Sequence, residues 1–236
     1  MFIKTRYRTD DPEIMDDFDL KGDVLKTSLD KIAQINQFLG GNKLTLKGVE
    51  KLLKKVPNSN LIKIVDVGCG NGDMLRKLAD FGFRNNLNLE LIGVDANGFT
   101  VDYAIDLSRK YSNITYRYQD IFDESFDEIK CDILLCTLTL HHFKNDEINK
   151  LLTFFYANSK LGFVINDLHR SSIAYHLFQV ICFVFRLNEI SRKDGLTSIL
   201  RGFKKYELVA FSKNLKFEKY NIQWKWAFRY QWIIEK

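Results

Sequence analysis

The stretch IVDVGCGNG, residues 64–72, places an acid, Asp66, and three alternating glycines at the end of an apolar run. The glycines are Gly68, Gly70 and Gly72, with Cys69 and Asn71 between them. Glycines at this density let a backbone turn sharply and come close to a ligand. The spacing G-x-G-x-G matches neither the dinucleotide fingerprint G-x-G-x-x-G nor the phosphate loop G-x-x-x-x-G-K-[ST]. It suits a ligand that is nucleoside-like but has no pyrophosphate. Asp95 ends a second apolar run, LELIGVDAN. A carboxylate there accepts two hydrogen bonds from a ribose diol, and it suits equally the cap of a following helix.

Two further clusters carry proton chemistry. Asp167 and His169 lie in INDLHR, at the end of a later apolar run. Either is able to take the proton that an acceptor hydroxyl loses; the alternative is that Asp167 caps a helix and His169 orients the loop. His141 and His142 offer two imidazoles, groups that titrate near neutral pH and act as general bases. They suit equally a packing role before the next helix. No metal is expected, because adjacent histidines need further ligands and no H-x-x-x-H pattern or nearby Cys/Asp set accompanies them.

Positioning these groups requires an open α/β sheet, whose ligands bind outside the carboxyl ends of the strands. Apolar runs predict strands at Lys63–Val67, Glu90–Asp95, Ile114–Gln119, Cys131–Thr137 and Gly162–Asn166. Helical spacing predicts helices at Asp73–Phe81, Thr100–Lys110 and Glu147–Asn158 between them. This alternation implies a mainly parallel sheet. Before it, helices are expected at Asp23–Leu39, ended by Gly40-Gly41, and at Lys47–Lys55, with a turn at Pro57–Asn60. After Asp167 the pattern breaks into a helical segment over 171–187, a polar loop over 188–202 and a helix over 204–213. Strands at Lys216–Trp226 and Arg229–Glu235 follow, joined by a short turn that makes the last one antiparallel.

With Asp66–Gly72 reading DVGCGNG, the chain from about Lys63 onward resembles the Rossmann-like, class I methyltransferases that use S-adenosylmethionine. The resemblance implies a three-layer α/β/α sandwich with a mainly parallel seven-stranded sheet, an antiparallel last strand, N-terminal helices and a helical insertion after the fifth strand. It implies that residues 1–60 form an N-terminal helical arm or lid. Residues 61–236 then form the cofactor-binding domain, with the insertion at about 171–202, in one compact unit. It implies that the glycine loop lies under the methionine part of the cofactor. Asp95 would hold the ribose, and Ala96 and Asn97 would line the adenine side. At Gln119-Asp120-Ile121, Asp120 would accept from the adenine amino group and Ile121 would pack on the ring. Thr137 and Leu138 would pass beside the sulfonium, with His142 packed around the cofactor and His141 a candidate base.

A narrower resemblance rests on YRTDDPEIMDD (7–17), INDLHRSSIAYHL (165–177) and SRKDGLTSILRGFKKYEL (191–208). These fragments are similar to a bacterial subgroup associated with aromatic polyketide or quinone-like products. Arg192, Asp194 and Arg201 are the charged residues of that expected lid, for substrate contact or for internal salt bridges. The resemblance implies methyl transfer to a phenolic or polyketide-like hydroxyl. Carbon methylation of a quinone precursor, amine methylation and non-catalytic cofactor binding are the alternatives.

Composition narrows the partners. The 236 residues suit a domain with a well-buried core. Nineteen Phe and ten Tyr leave room for an apolar or aromatic acceptor. The net charge of +5 comes without a long block of like charges, and Thr137-Leu138-Thr139-Leu140 stands where amine methylases acting on DNA often carry an N-P-P-Y-type tetrapeptide. Nucleic acid is therefore not the expected partner; a homodimer is left open. Four cysteines without metal spacing and no apolar leader fit a reduced, cytoplasmic protein. The apolar segment Ile173–Phe185 is shorter than the roughly twenty residues of a membrane span and reads as a buried or lid helix.

Overall fold

The computed structural model describes residues 3–54, 56–57, 60–123 and 129–236. Two helices, α1 (Asp23–Phe38) and α2 (Gly41–Leu53), precede the sheet. The alternating core follows as β1 (Leu61–Val67), α3 (Asp73–Arg84), β2 (Asn88–Asp95), α4 (Gly98–Leu107), β3 (Ile114–Tyr118), β4 (Cys131–Thr137), α5 (Asn145–Asn158) and β5 (Ser159–Leu168). Three helices, α6 (Ser172–Val184), α7 (Glu189–Arg201) and α8 (Lys205–Asn214), lead to β6 (Lys219–Lys225) and β7 (Arg229–Glu235). The strand order is β3-β2-β1-β4-β5-β7-β6. β1 to β5 pair in parallel, and β7 runs antiparallel to both β5 and β6.

Side chains alternate across the sheet, so Val65, Val67 and Leu134 face one apolar layer while Ile64, Ile133 and Leu135 face the other. The first layer is closed by Leu151, Leu152 and Phe155 of α5, the second by Leu75 and Leu78 of α3 and Val49 of α2. All four cysteines are buried and free.

Three expectations need correction. Residues 188–202 are not a loop: Asn188 caps α7 by accepting from the Ser191 amide at 2.8 Å. The buried positions of α7 are mostly polar (Ser191, Asp194, Ser198 and Arg201 beside Ile199), so no apolar period marks the helix in the sequence. α2 begins at Gly41, not Lys47, because Gly40 turns the chain in the left-handed region and α2 starts at once. β5 is also longer than the apolar core that predicted it. Lys55, Asn58 and Ser59, within the predicted second helix and turn, lie outside the described residues. α6 is neither fully buried nor fully exposed: Leu177, Phe178 and Ile181 line a cavity while Ile173, Phe183 and Val184 are exposed. Among the described residues no helix is long and apolar enough to cross a membrane.

Candidate active site

The carboxyl ends of β1, β2 and β4, the turn after β3, the N-terminal arm, α1, α6 and α7 surround a cavity of about 890 Å³. The glycine loop after β1 shapes one part of its wall. Gly68, Gly70 and Gly72 all have positive φ. A Cβ at Gly68 would meet the Thr139 side chain at 2.3 Å, and one at Gly72 the Tyr116 hydroxyl at 2.0 Å. Those two glycines are demanded by packing. A Cβ at Gly70 would have only Leu29 near it, at 3.8 Å, although Gly70 lines the cavity. That position is kept clear toward the cavity and not by protein neighbours.

The strand-end acids gather around this loop. Asp95 accepts from the Gly70 amide at 3.0 Å and from the Asn97 amide at 3.1 Å, and it lines the cavity with two carboxylate lone-pair sites still available. Burial raises its pKa. Asp66 is 2% exposed and its Oδ1 has no hydrogen-bond partner. Burial, then Asp73 and Asp95, push its pKa up to about 7. Asp120 accepts from the Phe122 amide at 2.9 Å and lines the cavity with Ile121 and Ala96. Thr137 and Leu138 also line it, Thr137 paired with Thr45 at 3.1 Å and Leu138 in the left-handed region. The open cradle at Gly70, the orphaned Asp66 oxygen and the carboxylates at the strand ends suit a cationic, nucleoside-like ligand.

Some expected contacts are otherwise engaged. The Asn97 side chain caps α4 through Thr100 and donates to the carbonyls of Phe18 and Leu20, so it anchors the arm. Asn71 lines the cavity but donates to Asp30. Gly72 and Gln119 do not line the cavity; the Gln119 amide donates to the Asp95 carbonyl.

The proton chemistry falls differently from expectation. His169 does not line the cavity. Its Nδ1 accepts from Trp224 Nε1 at 3.1 Å, and burial, then Lys204 and Arg170, lower its pKa to about 4. His169 is thus a neutral ring packed against Phe228 and Tyr230. Asp167 is also outside the cavity lining and orients His141, whose Nδ1 lies 2.7 Å from Asp167 Oδ1. Burial raises the Asp167 carboxyl, but His141, the Leu168 amide and His142 together hold its pKa below the ordinary value. His141 is 2% exposed, lines the cavity, and its Nε2 has no hydrogen-bond partner. It lies 3.7 Å from Glu13 Oε1, which also has no hydrogen-bond partner. Burial pushes Glu13 up to about 7 against the pull of His142. His142 pairs with Asp16 at 2.6 Å.

Glu13, Asp16 and Arg229 line the cavity, and Thr45 stands behind Thr137; none was identified from sequence. The fragment 7–17 carried the only signal for the first two. Asp194 accepts from the amides of Ile14 and Met15 at 2.8 and 2.9 Å, and Ser198 donates to Glu13 at 2.7 Å. Arg201 binds Asp16 at 2.6 Å. α7 therefore holds the arm across the cavity. Donor atoms of Glu13, His141 and His142 lie within 4.8 Å of one another, a ligand set that no local spacing announced. The Arg201 guanidinium stands 3.7 Å from Glu13 Oε1 and already supplies positive charge there.

Comparison with known proteins bears on the domain and the fold. Residues 64–162 match the model of a methyltransferase domain. A curated protein of Geobacillus sp. (strain WCH70), whose name marks it as an inferred methyltransferase, is 26% identical over 146 residues; the match covers 61% of this chain and 57% of that relative. The plantazolicin methyltransferase BpumL, solved with S-adenosylhomocysteine, superimposes with a TM-score of 0.65 at 15% identity over 90% of this chain and 94% of its own. Magnesium protoporphyrin IX methyltransferase from Synechocystis PCC 6803, also with S-adenosylhomocysteine, gives 0.54 at 17% identity over 83% and 82%. The CurJ carbon methyltransferase gives 0.61 at 15% identity over 81% and 53%. At these identities the structural likeness is one of fold.

Proposed function

We propose that this chain, by domain and fold a class I S-adenosylmethionine-dependent methyltransferase, methylates a hydroxyl of a small apolar acceptor of phenolic or polyketide-like kind. The observation that carries this reading is the oriented His141, whose Nε2, without a hydrogen-bond partner, lies 3.7 Å from a Glu13 oxygen that also has none, in the wall of the cavity that the glycine loop also lines.

Bound S-adenosylmethionine supplies a methyl group made electrophilic by its sulfonium. Gly70 would give its methionine part room, and Asp66 would offer the cation a buried negative charge. Asp95 would offer oxygens to the ribose hydroxyls, and Asp120 would accept from the adenine amino group with Ile121 against the ring; all three line the cavity. On the acceptor side, Asp167 takes the Nδ1–H of His141 and leaves Nε2 as the acceptor of the hydroxyl proton. Glu13 sits within reach of the same proton. Phe18, Phe178, Ile181 and Phe228 make the surroundings apolar, which strengthens each of these contacts.

The test begins with calorimetric titration by S-adenosylmethionine and S-adenosylhomocysteine. Labelled methyl transfer is then measured to a panel of phenols and to their methyl ethers. Micromolar binding and label on the free hydroxyls alone are expected. Label on the ethers would move the reaction to carbon. Absence of binding to well-folded protein would sink the catalytic reading.

A further inference from the structure

Arg229 opens β7 and lines the cavity, yet nothing in the reading above employs it. It is 3% exposed. Its guanidinium donates to Asn36 Oδ1 at 2.6 Å, its Nε has no hydrogen-bond partner, and among the described residues no carboxylate forms an ion pair with it. The other buried arginines are compensated. Arg170, fully buried, pairs with Glu207 at 2.7 Å and donates to the carbonyls of Thr5, Arg6 and Gly202. Arg201 pairs with Asp16 and donates to the carbonyls of His141 and His142. A guanidinium has five N–H donors and stays charged in proteins. Burying one without an anion is costly. Asp167 is the carboxylate whose field reaches it, and Asp167 is committed to His141. Space is also reserved for the group: a Cβ at Gly41 would lie 2.5 Å from Arg229 Nη1.

We propose that Arg229 is a carboxylate-binding subsite of the cavity, so that the bound ligand brings the anion the folded chain lacks. The planar fork suits a carboxylate, taken by two parallel hydrogen bonds. The cavity also carries Glu13, Asp16, Asp66 and Asp95, a fringe of acids that disfavours a doubly charged phosphate more than a singly charged carboxylate. Two sources have this chemistry: the α-carboxylate of the cofactor's amino-acid part, and a carboxylate on the acceptor. The choice of these sources rests on the methyltransferase reading; the unpaired cation does not.

The experiment uses the full chain and Arg229→Met, which keeps an apolar stem and leaves no other charge unpaired. Its Tm is expected to be no lower than that of wild type. Binding of S-adenosylhomocysteine is compared with that of methylthioadenosine, which lacks the carboxylate. On protein saturated with S-adenosylhomocysteine, binding of naphthoate is compared with that of neutral naphthalenemethanol. Loss of one charge-assisted pair corresponds to about tenfold or more in affinity. If the anion comes from the cofactor, Arg229→Met weakens S-adenosylhomocysteine by that factor and spares methylthioadenosine. If it comes from the acceptor, wild type prefers naphthoate and the variant loses the preference. A variant that keeps both discriminations within about twofold of wild type would overturn the proposal. So would a clear fall in Tm, which would mark Arg229 as a structural residue. Failure of wild type to bind S-adenosylhomocysteine would count against the methyltransferase reading and leaves the naphthoate comparison, then made without it, to decide on Arg229.

Discussion

Asp95 and His141 divide the proposed chemistry between ligand holding and proton removal, and substitutions should separate the two. Asp95→Ala removes the carboxylate from the cavity and from the amides of Gly70 and Asn97. Affinity for S-adenosylhomocysteine should fall about tenfold or more, as expected when charged hydrogen bonds are lost, with little change in the circular dichroism spectrum. Unchanged affinity would refute the ribose role. His141→Ala should slow turnover by about a hundredfold to ten-thousandfold, the range for a general base, with cofactor affinity near wild type. His169→Ala should leave the pH–rate profile intact, since that ring faces Trp224 and lies outside the cavity lining. A profile altered by His169→Ala alone would return the base role to it. The residues legible in the sequence, Gly68, Gly70, Asp95 and Asp120, share one property: each sits at a strand end where a local backbone pattern sets its place. Glu13 and Arg229 have no such marker. Glu13 reaches His141 from 128 positions earlier in the chain (141 minus 13), and Arg229 reaches Asn36 from 193 positions away.

At the scale of elements, α7 is the piece that sequence periodicity missed and that the site depends on. Its buried face carries side chains that bind the arm, so hydrogen bonding takes the place of apolar packing. Strands β1, β2 and β4 were legible because their apolar runs fill both faces of a buried parallel sheet. A helix that binds a loop through Asp194, Ser198 and Arg201 has no comparable signature. The dependence is testable at Asp194. Replacing it with Ala leaves the amides of Ile14 and Met15 without their acceptor. The cost is about 1–3 kcal/mol, and the arm carrying Glu13 and Asp16 loosens. Limited proteolysis should then cut ahead of α1 sooner than in wild type, and the acceptor KM should rise more than that of the cofactor. An arm as protected as in wild type would show that Arg8, which binds the carbonyls of His141, Phe143 and Arg201, suffices to hold it.

Across the whole molecule, the buried acids make folding and cofactor binding respond oppositely to pH. Glu13 and Asp66 are both pushed up to about 7, each first by burial. In the unfolded chain they titrate near ordinary carboxylate values, close to pH 4. Between about pH 4 and 7 the folded chain therefore holds protons that the unfolded chain has released, and linkage makes stability fall as pH rises through that window. Asp16 and Asp167 act in the other sense. Their pKa values lie below the ordinary range because the lowering contacts together exceed the effect of burial: His142, Arg201 and the Glu13 amide at Asp16, and His141, the Leu168 amide and His142 at Asp167. Their stabilisation is complete above pH 4 and is lost only in stronger acid. His169, lowered to about 4 from an ordinary value near 6.5, opposes part of this fall, because there the unfolded chain holds the proton that the folded chain has lost. The two raised carboxyls outnumber it, so the free protein should be most stable in mild acid and lose Tm toward pH 7. Asp66→Asn, which cannot ionise, should reduce that slope. A positively charged ligand reverses the preference at Asp66, because it favours the carboxylate over the carboxylic acid. Affinity for S-adenosylmethionine should rise from pH 6 to 8. Its calorimetric heat should vary with the ionisation enthalpy of the buffer, since binding expels the proton. Asp66→Asn should remove much of that buffer dependence. Tm scans with and without the ligand, beside titrations in two buffers, measure both arms. A Tm that rises toward neutrality together with a buffer-independent heat would mean that Asp66 is already ionised in the free protein, with some other group holding its charge.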